Sequence, residues 1–200
     1  MLMCLLSGLL ALTSCSKRSN EVEHTADMTG MSLLEIAKTR RAIRNFLPQE
    51  VEQKKLDYVL ECLRLAPSAG NKQPWHFYIV KSREAKKAIY QSYTYGNIKG
   101  DPMFIVACGD STVSWKRKDY DGKNYLDVDV AIAVEHLVLA ATEQGLGTCW
   151  LAHFNPERLV EVLNIPENLT PIAIIPIGYP SPEQGRKSDR KPLNEIMETI

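Results

Sequence analysis

Two basic segments near opposite ends of the chain carry the strongest chemical signal in the sequence. Residues 38–44 (KTRRAIR) hold four basic side chains and no acid, and residues 186–191 (RKSDRK) hold four basic side chains and one acid. Forked guanidinium groups match the oxygens of a phosphate dianion better than other protein donors do. The two segments therefore predict a site that grips one anionic ligand from two sides, although each could instead be a solvated basic turn.

Two further segments suit a flat heteroaromatic ligand. Residues 67–75 (PSAGNKQPW) combine small residues, which let the backbone approach a ring closely, with Ser, Asn and Gln side chains that donate and accept hydrogen bonds. Residues 145–152 (GLGTCWLA) form a glycine turn that leads into an extended apolar stretch. Backbone N–H groups in such a stretch can point at a ligand without interference from side chains.

The common catalytic and metal-binding motifs are absent from the sequence. It contains no phosphate loop, no dinucleotide fingerprint, no GxSxG and no HExxH. Cys149 and His153 are four residues apart, as ligands on one helix face would be, but two ligands do not make a metal site. Asp127 and Asp129 are interpreted as acids that favour a helix start rather than as an acid–base pair. We therefore predict no catalytic side chain and no metal ligand.

The hydrophobic pattern alternates between helices and short strands. Apolar residues at helical spacing predict helices, and short apolar runs bounded by turn residues predict buried strands. The predicted helices span 32–39, 49–65, 83–93, 127–144 and 156–164, and the predicted strands span 76–80, 103–108 and 172–179. Pro176 favours an edge or bulge position for the last strand. This order of elements predicts an α+β fold or three-layer sandwich.

The composition is that of one globular domain and argues against nucleic-acid binding. The 200 residues include 24 basic and 24 acidic side chains, so the net charge is zero at pH 7, whereas nucleic-acid binders present a basic face. Residues 130–141 are apolar nearly all round the predicted helix. We expect this helix at the centre of the domain or in a subunit interface.

Residues 1–15 are predicted to be a signal peptide. The apolar run 1–12 is too short for a spanning helix, which needs about 20 residues, and residues 12–15 (LTSC) resemble the lipobox of bacterial lipoproteins. We therefore expect a lipid anchor on Cys15, a polar tether over 16–30, a domain over 31–200 and a membrane-anchored protein. No Lys or Arg precedes the apolar run, so the alternative is a translation start at Met28 or Met31 and a cytoplasmic protein.

Four motifs make the chain resemble the FMN-dependent nitroreductase family. Residues 40–46 (RRAIRNF) are similar to its RRSxRxF signature, 67–77 (PSAGNKQPWHF) to its PSxxNxQPWxF loop, and 145–150 to its GLGTCW segment. The closing PxGYP…RKP motif is matched by 176–180 and 190–192. The motifs occur in the family's order across the whole predicted domain. The resemblance implies a three-layer α/β/α sandwich with a mixed, mostly antiparallel sheet, and an intertwined homodimer with two flavins at its interface.

The resemblance also implies FMN as the cofactor and assigns its contacts. Arg40 would contact the phosphate, Arg44 the pyrimidine edge of the flavin, and Arg190, with Lys187 or Ser188, would complete the phosphate grip. The loop 67–71 would line the ring from the partner subunit, and 149–152 would pass it with a backbone N–H near N5. The implied flavin-binding residues are Arg40, Arg41, Ala42, Arg44, Pro67, Ser68, Ala69, Asn71, Cys149, Trp150, Leu151, Ala152, Ser188 and Arg190.

One residue departs from the family pattern. Ala42 stands where the family usually has Ser, which removes one hydroxyl contact worth about 1 kcal/mol of binding free energy.

The implied reaction moves electrons from NAD(P)H to a nitroaromatic, a quinone or a similar small acceptor by a ping-pong route. Arg44 would stabilise the negative charge that reduction places on the flavin. Two alternatives stay open: a non-catalytic flavin- or nucleotide-binding lipoprotein, and a relative that performs reductive dehalogenation or flavin breakdown. Residues 111–124 are predicted to be a variable lid in which Trp115 and Tyr120 contact substrate, or an exposed loop.

Overall fold

Five α-helices and four β-strands make up the regular part of the computed structural model, which describes residues 30–93, 98–182 and 189–200. In chain order the elements are α1 (Leu33–Thr39), α2 (Gln53–Arg64), β1 (Trp75–Val80), α3 (Arg83–Ser92), β2 (Met103–Asp110), α4 (Leu126–Glu143), β3 (Gly147–Thr148), α5 (Pro156–Leu163) and β4 (Leu169–Gly178). Short 3₁₀ turns lie at Ala69–Asn71 and Leu193–Glu195. The predicted signal peptide 1–15 and the predicted tether, apart from Gly30, lie outside the described residues.

The helix boundaries follow their capping residues. Ser32 caps α1 with a capping box, in which the Glu35 carboxylate accepts from the Ser32 N–H at 2.8 Å. The predicted helix 49–65 begins too early, because α2 starts at Gln53. Glu52 has extended backbone as the N-cap residue, and Val51 before it packs into the core instead of continuing the helix.

The four strands form one sheet in the order β1-β2-β4-β3, and each neighbouring pair is antiparallel. Among the described residues, parallel pairing is confined to two isolated bridges, Ala42 with Thr148 and Asn45 with Lys99. The sheet is therefore antiparallel with a short parallel addition at its β3 edge.

Pro176 does not mark an edge strand, because β4 lies between β2 and β3. Leu151 and Ile174 exchange two backbone hydrogen bonds of 3.0 Å, so Ile174 directs its N–H away from β2. Pro176 is two residues further along the strand and faces the same way. The side of Pro176 that lacks an N–H therefore faces the segment after β3, where regular pairing has already stopped. The bulge in this strand lies elsewhere, where Pro171 pairs with Cys108.

Helices cover both faces of the sheet, which confirms the three-layer sandwich. Alternate residues of β2 separate into two hydrophobic clusters. Met103, Ile105 and Ala107 pack with residues of α2 and α4, whereas Phe104, Val106 and Cys108 pack with residues of α3 and α5. Every residue from 103 to 109 is buried, as expected for a strand covered on both sides.

Helix α4 lies at the centre of the domain, but one apolar side of it is only partly covered. Val130, Ala133, Val134, Leu137 and Ala141 are fully buried. Val128 remains 38% exposed, and Ile132 and Leu139 are only half-buried. No helix in the described ranges is long and apolar enough to cross a membrane.

Candidate functional site

The first basic segment lies along the outer edge of β3. The Ile43 N–H donates to the Thr148 carbonyl at 2.8 Å, and the Leu47 N–H donates to the Tyr179 carbonyl at 2.8 Å. Gly147 permits this contact, because a Cβ there would come within 2.7 Å of Ile43 Cγ1. The structure therefore brings together three motifs that are distant in sequence: 40–46, 145–150 and 176–180.

Three arginines of the first segment have no side-chain partner among the residues that the structure describes. Arg40 and Arg41 are half-buried and Arg44 is exposed. Within the described part of the chain, their guanidinium groups make no hydrogen bond or ion pair. Each arginine therefore keeps its full set of donors and its charge for an anionic ligand.

Arg44 acts electrostatically on two buried groups beside it. Burial raises the pKa of the Cys149 thiol, and the charge of Arg44 opposes that rise. Burial also raises the pKa of the Tyr93 phenol, as does Cys149, while Arg44 again lowers it. Both groups stay protonated at neutral pH, so Arg44 is the charged member of this trio.

Tyr93 was not among the predicted site residues. It is the C-cap residue of α3, with extended backbone, and its side chain is buried. Nothing in the sequence relates Tyr93 to residues 44 and 149, because the sheet brings these segments together.

The backbone at Trp150 offers a free donor on the same edge. The Leu151 N–H and C=O both face β4, and the Thr148 carbonyl faces Ile43 on the opposite side. Because successive residues of an extended chain point in opposite directions, the Trp150 N–H faces outward, beside the first segment. It donates to no group in the described ranges. This outer edge thus combines a free N–H with unpaired cations.

The loop 67–75 is fixed by its own hydrogen bonds. The Gln73 N–H donates to Ser68 Oγ at 2.8 Å, and Gln73 Nε2 donates to Asn71 Oδ1 at 3.1 Å. Gly70, Asn71 and Gln73 have φ values of 57°, 52° and 47°. Such left-handed backbone favours Gly and Asn, which explains two residues of the motif. Pro67 and Asn71 are exposed, and Ser68 and Ala69 are half-buried.

Asp129 anchors this loop to α4. Its Oδ1 accepts from the Ala69 N–H at 2.9 Å, its side chain is buried, and its Oδ2 has no hydrogen-bond partner among the described residues. Asp127 and Asp129 both lie in the first turn of α4, as predicted, but only Asp127 is exposed, whereas Asp129 is buried and holds the loop. The sequence did hold a signal: Asp129 is three residues after Leu126 and four before Ala133, both on the buried face.

The two halves of the predicted flavin site lie far apart in one chain. The loop 67–75 leads into Trp75, which pairs with Gly109 at one end of β2. Thr148 pairs with Ile177, which pairs with Met103 at the other end of β2. Three strand spacings and six residues of β2 separate these positions by about 14 Å across the sheet and about 20 Å along it.

Residues 111–125 form a mostly exposed loop that is shaped as a hairpin by the isolated bridge between Lys116 and Asn124. The Arg117 N–H donates to the Lys123 carbonyl at 3.0 Å, and the Tyr125 N–H donates to the Trp115 carbonyl at 3.1 Å. The Trp115 and Tyr125 rings meet edge to face with centroids 5.1 Å apart. Trp115 also packs against the loop 67–75, since a Cβ on Gly70 would lie 3.2 Å from Trp115 Cδ1.

The second basic segment is only partly described. Lys187 and Ser188 lie outside the described residues, so their predicted contacts stay predictions. Arg190 is exposed, and its guanidinium donates to the Asp189 carbonyl at 3.1 Å. Its predicted place in the phosphate grip also stays a prediction.

Cys149 and His153 do not share a helix face, because the backbone between them is not helical. Among the described residues, no group of three His, Cys, Asp or Glu side chains could hold a metal ion.

The order and placement of these motifs agree with comparisons to known proteins. The sequence model of the Nitroreductase family matches residues 37–101 and 87–179. The chain belongs to the nitroreductase family. The matched residues include the first segment, the loop 67–75, the edge at 145–152 and strand β4.

Individual nitroreductase relatives match most of the chain. A protein of Archaeoglobus fulgidus, provisionally named NADH dehydrogenase/NAD(P)H nitroreductase, is 35% identical over 156 residues, which are 76% of this chain and 87% of the relative. The crystal structure of a nitroreductase family protein from Clostridium difficile 630 is 36% identical with a TM-score of 0.77, covering 84% of this chain and 98% of that one. An FMN-dependent nitroreductase from Clostridium difficile R20291 is 30% identical with a TM-score of 0.66, covering 78% and 92%. The nitroreductase-like fold is confirmed.

The anchoring role of Asp129 leads to a prediction. Asp129→Ala should leave the Ala69 N–H without its acceptor, which lowers the free energy of unfolding by about 1–3 kcal/mol and weakens FMN binding through the loop. Asp129→Asn keeps an acceptor oxygen in a side chain of the same shape, so it should retain most of the stability and most of the FMN affinity. Urea unfolding and fluorescence titration with FMN measure the two effects. An Asp129→Ala protein with unchanged FMN affinity would contradict the anchoring role.

Proposed function

We propose that this nitroreductase family member is an FMN-dependent oxidoreductase that takes electrons from NAD(P)H and passes them to a nitroaromatic, a quinone or a similar small acceptor. The observation that carries the proposal is the outer edge of β3, where unpaired arginines lie beside the free N–H of Trp150. Relatives support it by name: the FMN-dependent nitroreductase from Clostridium difficile, and an FMN reductase [NAD(P)H] from Bacillus subtilis that is 29% identical over 164 residues.

The residues at this edge fit the chemistry of FMN. Arg40 and Arg41 would hold the phosphate, because both residues are half-buried and their guanidinium groups have no partner among the described residues. Arg44 and the Trp150 N–H would face the flavin ring. When bound, FMN supplies a group that accepts a hydride and later releases its electrons to an acceptor.

Arg44 is the residue that we expect to influence the reaction rate. A fixed cation stabilises negative charge that is present only after reduction, so it lowers the barrier more than it improves binding of the oxidised cofactor. The neighbouring Cys149 thiol and Tyr93 phenol stay neutral, so neither offsets the positive charge of Arg44. No side chain of this edge needs to act as a general acid in this scheme.

The complete site requires two copies of the chain. The first segment and the loop 67–71 lie at opposite edges and opposite ends of one sheet, so a second copy must supply one of them if both contact the same flavin. The molecule also carries large apolar side chains that its own chain leaves uncovered. They include Leu33, Leu34, Leu65, Val128, Leu193, Ile196, Met197 and Ile200, with exposed fractions of 38% or more. A homodimer would cover such surface.

Purified protein loaded with FMN should absorb in the visible range and lose that absorbance when NADH or NADPH is added without oxygen. Arg44→Ala should slow the loss of absorbance about tenfold or more and reduce FMN occupancy less. Arg44→Lys keeps the charge but not the forked donors, so its reduction rate should lie between those of the unchanged protein and Arg44→Ala. Anaerobic stopped-flow absorbance measures the rate, and FMN titration measures occupancy.

Arg64→Ala is the matched control, since Arg64 is exposed and paired with Glu61 on α2. Equal losses of rate and occupancy in Arg44→Ala would mean that Arg44 only binds. A yellow protein that neither nicotinamide bleaches would favour the flavin-binding alternative, and a protein that rejects FMN would end every flavin hypothesis.

Subunit sharing can be tested by complementation. Arg44→Ala and Asn71→Ala subunits should each be poorly active alone. A mixed dimer contains one site with both defects and one site with neither, so co-expression should restore about a quarter of the sites if the subunits pair at random. Activity per bound FMN in the co-expressed mixture measures this. No recovery would mean that both residues serve the same site within one chain.

We further propose, from the sequence alone, that Cys15 carries a lipid anchor. Intact mass of the protein isolated from its native host should correspond to a chain that begins at lipidated Cys15. A mass that begins at Met28 or Met31 would contradict the anchor and favour a cytoplasmic protein.

A further inference from the structure

A cavity of about 650 Å³ lies between the hairpin 111–125 and the loop 67–75. Lys72 of the loop lines one side, and residues 112–120 of the hairpin line the rest. The volume is in the range that holds a small aromatic molecule. Because Trp115 of this cavity packs against Gly70 of the loop that would line the flavin ring, the cavity adjoins the proposed flavin site.

The charges that line this cavity are unbalanced. One of its cations is already neutralised, because Arg117 Nε donates to Asp121 Oδ1 at 2.8 Å. This pairing lowers the pKa of Asp121 to about 2, so the pair persists at neutral pH. The other three cations, Lys72, Lys116 and Lys118, form no hydrogen bond or ion pair through Nζ with any residue that the structure describes.

A single acid, Asp119, lines the cavity against these three lysines. All three lysines are exposed, so their charges attract an anion through their combined field. The surplus therefore favours a ligand that carries negative charge.

Two aromatic side chains, Trp115 and Tyr120, also line the cavity. The Trp115 ring is half-buried and fixed edge to face against Tyr125, and Tyr120 is 87% exposed at the tip of the hairpin. A fixed ring next to lysine ammonium groups suits a molecule that has both a flat ring and an anionic substituent.

We propose that this cavity selects aromatic acceptors that carry a carboxylate, with Lys72, Lys116 and Lys118 attracting the carboxylate and Trp115 packing against the ring. The proposal rests on the proposed function, since it names the class of acceptor that the flavin site would reduce. Net positive charge in the cavity would raise both the affinity and the rate of encounter with such acceptors.

The phosphate of NADPH is the other anion that could use these lysines. We favour the carboxylate because tight phosphate recognition usually employs forked arginine donors, and the arginine of this cavity is already held by Asp121. Lysines act as point charges, which attract a carboxylate without needing forked geometry.

The experiment compares two acceptors of nearly the same shape, one of which is charged and one neutral. For the FMN-loaded full chain, kcat/KM for 4-nitrobenzoate should exceed that for 4-nitrobenzamide by about tenfold, and about 0.5 M salt should reduce the ratio. Lys72→Gln, Lys116→Gln and Lys118→Gln should each lower the ratio about two- to fivefold, as expected for partly exposed ion pairs. Lys87→Gln, on exposed surface of α3, should leave it unchanged.

A second readout does not require turnover. Calorimetric titration should give tighter binding of benzoate than of benzamide, and the three lysine variants should lose that difference. Benzoate selectivity in a protein that reduces no acceptor would support the cavity and contradict the proposed function. Reduction of both nitro compounds at equal efficiency in every variant would overturn the cavity proposal alone. Lysine variants that alter only the preference for NADPH over NADH would also overturn it, since the anion would then belong to the donor.

Discussion

The hydrogen bond from the Ile43 N–H to the Thr148 carbonyl is the contact on which the candidate site depends. It attaches the basic segment 40–44 to the edge of a strand only two residues long, and it requires Gly147, whose missing Cβ leaves room for Ile43. The strand is short because the opposing β4 carries Pro176, which has no N–H to continue the ladder. The alternation of the extended chain directs the Trp150 N–H away from β4, where it donates to no described residue and is open to a ligand.

The second half of the site depends on a different kind of contact. Asp129 is buried and carries an oxygen without a hydrogen-bond partner among the described residues, an arrangement that normally lowers stability. Its benefit is that the loop 67–75 is fixed in left-handed conformations before any ligand arrives. Preorganisation of this kind reduces the entropy that binding must remove, so the cost in folding is offset in binding.

Much of the fold was predictable because most elements carry their own local signals. Ser32 caps α1, and Asn155 caps α5 by accepting from the Arg158 N–H, so both helices begin where the pattern predicted them. The apolar run 103–108 is a buried inner strand of the sheet. The start of α2 was misjudged because Val51 continues the apolar pattern while its backbone is extended. Pro176 was expected at an edge or bulge because proline cannot donate a hydrogen bond to a neighbouring strand. It lacks a donor on one side only, and the sequence does not reveal which neighbour lies on that side. The buried Asp129 was overlooked since acids are common at helix starts.

The site was predictable as a set of segments but not as an arrangement. Motif order identified residues 40–46, 67–77 and 145–150, yet only the strand pairing reveals that the first and third adjoin each other while the second lies across the sheet. This separation also offers an explanation for the exposed apolar residues. On a chain of zero net charge they would otherwise favour aggregation. If both halves bind one flavin, the same contacts that cover those residues also complete the site. Formation of the dimer and formation of the cofactor site would then be one event, because the first segment of one copy meets the loop 67–75 of the other only when the two copies associate.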